Sequence, residues 1–171
     1  MKKLFAVLFL LCALGLQANA YTQQEAIQKL QDMRLNPKSV GLFCNFVNRG
    51  KFDFVKLYVE AGQIDLNKRY SGSTYLIQAV FTKNPDIAIY LMENGADPEI
   101  KTKDGGSALF FAVKNGQTDV VRKILEKPNM NLKKQEILCR FKMKTIAKRR
   151  HYDEIYKMLV DYEEKYKEYQ K

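Results

Sequence analysis

Chemistry in this chain would have to run through very few side chains. His151 is the single histidine among 171 residues, and tryptophan is absent. Histidine is the usual proton carrier near neutral pH and the commonest metal ligand, so one copy leaves little room for either role. Cys12, Cys44 and Cys139 form no paired Cys-x-x-Cys unit, and no HExxH, P-loop or GxSxG signature occurs. Cys44 has no neighbouring base in sequence that would make it a nucleophile. The regularly spaced acids are Asp53, Asp86 and Asp119, each 33 residues from the next. Acids that recur singly at the start of successive helices serve the helix dipole rather than a carboxylate pair. No catalytic centre, metal site or cofactor is therefore expected.

The elements that must carry these residues begin after residue 20. Residues 1–20 read MKKLFAVLFLLCALGLQANA. Lys2 and Lys3 precede an apolar run from Leu4 to Leu16, and Ala18-Asn19-Ala20 is a small-x-small cleavage site. The run is shorter than the roughly 20 residues of a bilayer span. A Sec-type signal peptide is expected, cut after Ala20, with the mature chain periplasmic or secreted. Lipidation at Cys12 is disfavoured because Leu11 stands where a small residue belongs. No second long apolar run follows, so no transmembrane segment is expected after cleavage. The formal charge is +10; removing Lys2 and Lys3 leaves a basic chain that favours acidic partners or anionic surfaces. Export permits disulfides, but Cys44 and Cys139 lie nearly three repeats apart, beyond the roughly 7 Å that a disulfide bridges. Both are expected to be buried, unpaired thiols.

Three segments align in register: Gly41–Asn67, Thr74–Glu99 and Ser107–Leu132. Thr74 and Ser107, Leu76 and Leu109, Ala79 and Ala112, and Val80 and Val113 all stand 33 apart. Stepping back once more gives Gly41, Phe43, Phe46 and Val47. Gly62 and Gly95 repeat too. Within one period, Leu76, Ala79 and Val80 share a helical face. Pro85 can open a second helix, Ile87, Ala88, Leu91 and Met92 stripe it, and Gly95 can close it. One such pair cannot bury its apolar face alone, so the expected fold is all-α, a solenoid of stacked helix-turn-helix pairs.

The quoted residues resemble the ankyrin-repeat family. Thr74-Tyr75-Leu76 and Ser107-Ala108-Leu109 stand where that family has Thr-Pro-Leu, and Asn94-Gly95-Ala96-Asp97 is similar to its Gly-Ala-Asp turn. Ile77 and Phe110 replace the family's usual histidine. The resemblance implies three repeats over 41–132 and a non-catalytic module that binds a protein. A degenerate capping repeat over 133–171 is expected, with Ala147, His151, Asp153, Ile155 and Leu159 matching at a 34-residue step. His151 then takes a structural place after the helix–helix turn. Residues 21–40 are expected to form the other cap, with Thr22 and Glu25 spaced as a capping box. A long helix from Asp153 to Lys171 is expected to carry Ile155, Leu159, Tyr162, Tyr166 and Tyr169 on one stripe.

Stacks of this kind expose a face built from hairpin tips and the outer residues of each first helix. Arg69, Tyr70, Phe81, Lys103, Phe111 and Lys114 are the expected contact residues, since aromatic and arginine side chains anchor interfaces. Phe81 and Phe111 packing between repeats instead is the competing expectation. The expected partner is a protein of acidic character, bound by a monomer, either as a toxin held by an immunity-type inhibitor or as an envelope enzyme served by an accessory factor. The basic segment that includes Lys142, Lys144, Lys148, Arg149 and Arg150 offers an alternative: peripheral binding to an anionic membrane or another polyanion. Export disfavours nucleic acid.

Overall fold

The computed structural model describes residues 21–136 and 142–170. The expected leader with Cys12, and Cys139 near the C-terminal end, fall outside these residues. Among these residues ten α-helices follow one another: α1 Gln23–Asp32, α2 Val40–Asn48, α3 Phe52–Glu60, α4 Tyr75–Phe81, α5 Pro85–Glu93, α6 Ala108–Asn115, α7 Thr118–Leu125, α8 Leu132–Gln135, α9 Met143–Arg149 and α10 Asp153–Lys165. All but the short α8 stack in two columns. The first helices α2, α4, α6 and α9 pack in that order, and so do the second helices α1, α3, α5, α7 and α10. Among the described residues the only extended pairing is an isolated bridge between Tyr70 and Ser73 at a hairpin tip.

Each first helix starts on a side-chain cap where one is encoded. The hydroxyls of Ser39, Thr74 and Ser107 accept the N–H of Leu42, Ile77 and Phe110 at 3.4, 3.3 and 3.1 Å. Replacing the family's histidine by Ile77 and Phe110 therefore leaves the helix starts intact. The Ser107 hydroxyl also donates to the Gln135 carbonyl at 2.6 Å, tying two repeats together. Thr22 and Glu25 form the reciprocal capping box. Pro85 opens α5 at its first turn, and Asp53, Asp86 and Asp119 lie in the first turns of α3, α5 and α7.

The turn between paired helices repeats in atomic detail. The N–H groups of Lys51, Asn84, Gln117 and Tyr152 donate to the carbonyls of Phe46, Ala79, Ala112 and Ala147 at 2.9, 2.9, 3.0 and 2.9 Å. The residue before each donor is left-handed: Gly50, Lys83, Gly116 and His151, with φ of 66°, 59°, 70° and 56°. The last repeat therefore stands 35 residues after its predecessor, not 34. Ala147 matches Ala112, Ile155 matches Val120, and Leu159 matches Ile124. Glu154, not Asp153, takes the place of Asp119. Arg122 bonds to both Asp119 and Glu154, joining α7 to α10 within the second-helix column. His151 serves through its backbone, with its side chain exposed.

A left-handed non-glycine residue costs energy that glycine does not. Lys83→Gly is expected to raise the unfolding free energy by about 0.5–1 kcal/mol, the steric cost of that conformation less the extra chain entropy of glycine. Chemical denaturation measures this, and an unchanged or lowered midpoint would show that the turn stores no such strain.

The core runs the length of the stack. Leu76 and Leu109 are fully buried at matching positions, as are Ala79, Ala112 and Ala147. These alanines sit between successive first helices and let the backbones approach. At the C-terminal end, Ile155, Leu159 and Tyr162 are buried. The single long helix expected to reach Lys171 instead stops at Lys165, and a 3₁₀ turn follows over Lys167–Gln170. Tyr166 packs against Tyr162 with tilted rings whose centroids lie 4.6 Å apart, while Tyr169 is exposed. The Tyr162 hydroxyl accepts the Met130 N–H at 2.8 Å and donates to the Lys127 carbonyl at 2.6 Å. Tyr162→Phe removes both of those bonds beneath the cap. The expected cost is about 1.5 kcal/mol, read as a lower thermal midpoint; no change would mean that water replaces the hydroxyl.

Candidate functional site

The first-helix column and the hairpin tips form one face, and its charge follows from the sequence of each element. α2, α4, α6 and α9 contain no aspartate or glutamate. Basic side chains follow or close these helices: Arg49 after α2, Lys114 in α6, Lys148 and Arg149 in α9, and Arg150 after it. The tips add Lys68, Arg69, Lys101 and Lys103 against Asp104. The acids gather instead on the second helices, where α3, α5, α7 and α10 each carry at least one in the first turn.

The six expected contact residues fall into two groups, not one. Arg69, Tyr70 and Lys103 belong to the tips, before the helix N-termini. Arg69 and Lys103 are exposed, but Tyr70 is half-buried against the core. The Lys103 N–H donates to the Gly72 carbonyl at 3.0 Å, and its side chain lies along Gly72, so adjacent tips are laced together. Phe81, Phe111 and Lys114 lie toward the other end of the first helices. Seven residues separate Thr74 from Phe81, about 10 Å along a helix.

Phe81 decides the question of ring direction. It is 63% exposed, the most open large apolar side chain of the described residues. Its ring stands edge-on to Phe111 at 5.9 Å, and Phe111 in turn meets the buried Phe110 at 5.5 Å. Phe111 is half-buried. One ring is thus offered to solvent on a second that is fixed in the core. Lys114 is exposed, and its carbonyl accepts from the Arg150 guanidinium at 2.9 Å, which ties Arg150 to the C-terminal end of α6.

Three features of this face carry no motif. Cys44 is a buried free thiol whose Sγ donates to the Gln78 Oε1 at 2.8 Å and accepts from the Asn48 amide at 3.4 Å. Gln78 Nε2 then reaches the Tyr70 carbonyl at 3.2 Å. Burial pushes the Cys44 thiol pKa up against these bonds, which suits a packing group rather than a nucleophile. The second feature is the Arg150–Lys114 tie, whose partners lie 36 residues apart. Third, the basic segment is not a uniform patch. Lys144 pairs with Glu163 of α10, whereas Lys142, Lys148 and Arg149 are exposed. Among the described residues no cluster of His, Cys, Asp or Glu is placed to hold a metal ion, and no helix is long and apolar enough to cross a membrane.

The family model for ankyrin repeats, in three copies, matches residues 46–136. The chain belongs to the ankyrin-repeat family. Ankyrin repeats indicate a protein–protein interaction module. A crystal structure of the ankyrin repeat protein EF0377 superposes with a TM-score of 0.64 at 21% identity, covering 72% of this chain and 62% of that one. That likeness concerns the fold. Alpha-latrocrustotoxin-Lt1a of Latrodectus tredecimguttatus is 33% identical over 99 residues, which is 54% of this chain and 7% of the toxin. The match thus spans a small part of the toxin.

Proposed function

We propose that this ankyrin-repeat protein is an exported, non-catalytic binder that holds an acidic segment of a protein partner on its first-helix face. What supports the reading is one combination: an exposed Phe81 edge-on to Phe111, with exposed Lys114 and Arg150 tied together on the same helix column, on helices that carry no acid. An aromatic anchor in a basic rim suits a partner with an apolar residue among carboxylates. Export is read from the leader pattern of residues 1–20, the binder acts as a monomer, and the role is that of an immunity-type inhibitor or of an accessory factor for an envelope enzyme.

A photo-reactive phenylalanine analogue at position 81, with the same analogue at Tyr156 as a control on the second-helix column, tests this. Irradiation in envelope extract is expected to give one dominant protein adduct from position 81 and none from position 156. Equal labelling from both, or no adduct, overturns the reading.

A second reading has its own observation. Lys142, Lys148 and Arg149 are exposed at the C-terminal end. They suit peripheral binding to an anionic membrane, which would weaken steeply with salt. Charge reversal at Lys148 and Arg149 tests it better than reversal at Arg150, which also holds the Lys114 carbonyl. Loss of sedimentation with anionic vesicles would favour this reading over the first.

A further inference from the structure

Glu60 closes α3 and lines an open cleft of about 540 Å³ between α1 and α3. Its side chain is only 10% accessible, and its Oε2 is buried without a hydrogen-bond partner. A carboxylate oxygen in that state calls for a donor. Lys56 Nζ stands 3.9 Å from Oε1, and Lys29 of α1 lies within electrostatic reach. The Tyr21 backbone N–H faces the same carboxylate. Burial is the largest influence on Glu60 and pushes its pKa up, while Lys56, the Tyr21 N–H and Lys29 pull it back.

Tyr21 is held in place at that spot. Lys29 Nζ lies 4.1 Å from its ring centre and bonds its hydroxyl. The next residue, Thr22, is locked by the capping box with Glu25. The nitrogen of Tyr21 is also the atom that the Ala18-Asn19-Ala20 pattern places just after the scissile bond. Hydrolysis of that bond adds hydroxide to the Ala20 carbonyl carbon and a proton to the Tyr21 nitrogen. A second proton from solvent then makes it an ammonium with three donors.

We propose that Glu60 is the receptor for the α-ammonium of Tyr21, so that removing the leader completes the N-terminal cap of the stack. The amide offers one donor to a carboxylate with two oxygens. The ammonium offers three donors and a full charge, enough to serve Oε2 as well. The proposal rests on cleavage after Ala20 and is independent of what the first-helix face binds. The charged and titratable groups that face Glu60 are Lys56 and Asp53 of α3, Lys29 of α1, and Tyr90 of α5, whose phenol burial and Glu60 push up to about 12.

An ammonium held by a carboxylate has a raised pKa, so the pair is fully formed below the free amine's value and is lost as pH rises through the folded one. The full chain is produced in an exporting host, and intact mass identifies its first residue. The Tyr21 amine is then acetylated over a pH series and read by peptide mass spectrometry, beside the free peptide Tyr-Thr-Gln-Gln. The expected result is a first residue at Tyr21 and a reactivity midpoint raised by about one unit, so about tenfold slower labelling at neutral pH. Glu60→Gln should return the midpoint to the peptide's. A chain starting elsewhere overturns the leader reading on which the proposal stands. A chain starting at Tyr21 with a peptide-like midpoint overturns the pairing itself, even if Glu60→Gln does not fold.

Discussion

Leu109→Ala is expected to lower the unfolding free energy by about 3 kcal/mol, the middle of the range for emptying a fully buried leucine site. Leu109 is completely buried in α6, the helix held between α4 and α9. Its loss opens a void at the centre of the stack rather than at an end. In a linear array, stability is a sum over repeats and the interfaces between them. A central defect therefore weakens two interfaces, and the halves should begin to unfold separately. Denaturation followed by circular dichroism should show a lower midpoint and a shallower transition. Hydrogen exchange should find the Phe46–Glu60 region protected longer than α9. A loss under about 1 kcal/mol, with an unbroken transition, would show that the core is not shared along the stack as described.

Phe81→Ala is expected to do the opposite: little to the fold, and much to binding. With 63% of its surface open, Phe81 contributes little burial to lose, so the unfolding free energy should move by less than about 0.5 kcal/mol. Against the captured partner, affinity should fall about thirtyfold, near 2 kcal/mol, as for the aromatic anchor of an interface. Titration calorimetry or fluorescence anisotropy measures this once the adduct from position 81 has been identified. Phe111→Ala is a useful contrast. Phe111 supports Phe81 and packs on Phe110, so its removal should weaken both stability and binding. An unchanged affinity in Phe81→Ala would remove the aromatic pair from the interface and leave only the basic rim.

Much of the fold was legible because its signals are local and repeated. Thr74, Ser107, Pro85, Gly95 and the 33-residue columns each act within one or two helical turns, and agreement across repeats made them mutually supporting. In the last repeat the expected step falls one residue short of the observed 35. Its first helix starts after Lys142, with no hydroxyl cap, and its left-handed turn falls on His151 where an earlier repeat has Gly116. No residue type marks the start of that helix or the end of the preceding turn. Tyr169 keeps the spacing of the stripe, but the helix stops at Lys165, and helical spacing continues in sequence after the helix itself has ended.

From the sequence alone came the number of repeats, their period, the two-helix unit and the all-α class, because these depend on spacing and on caps that work within a few residues. Side-chain direction belonged to the tertiary structure. Whether Phe81 points out or in, whether Lys144 meets Glu163, and whether Arg150 reaches Lys114 are settled by which helices lie side by side, 19 and 36 residues apart in the last two cases. Such distances carry no periodic signal, so only the packed stack decides which parts of a basic, aromatic sequence become a surface.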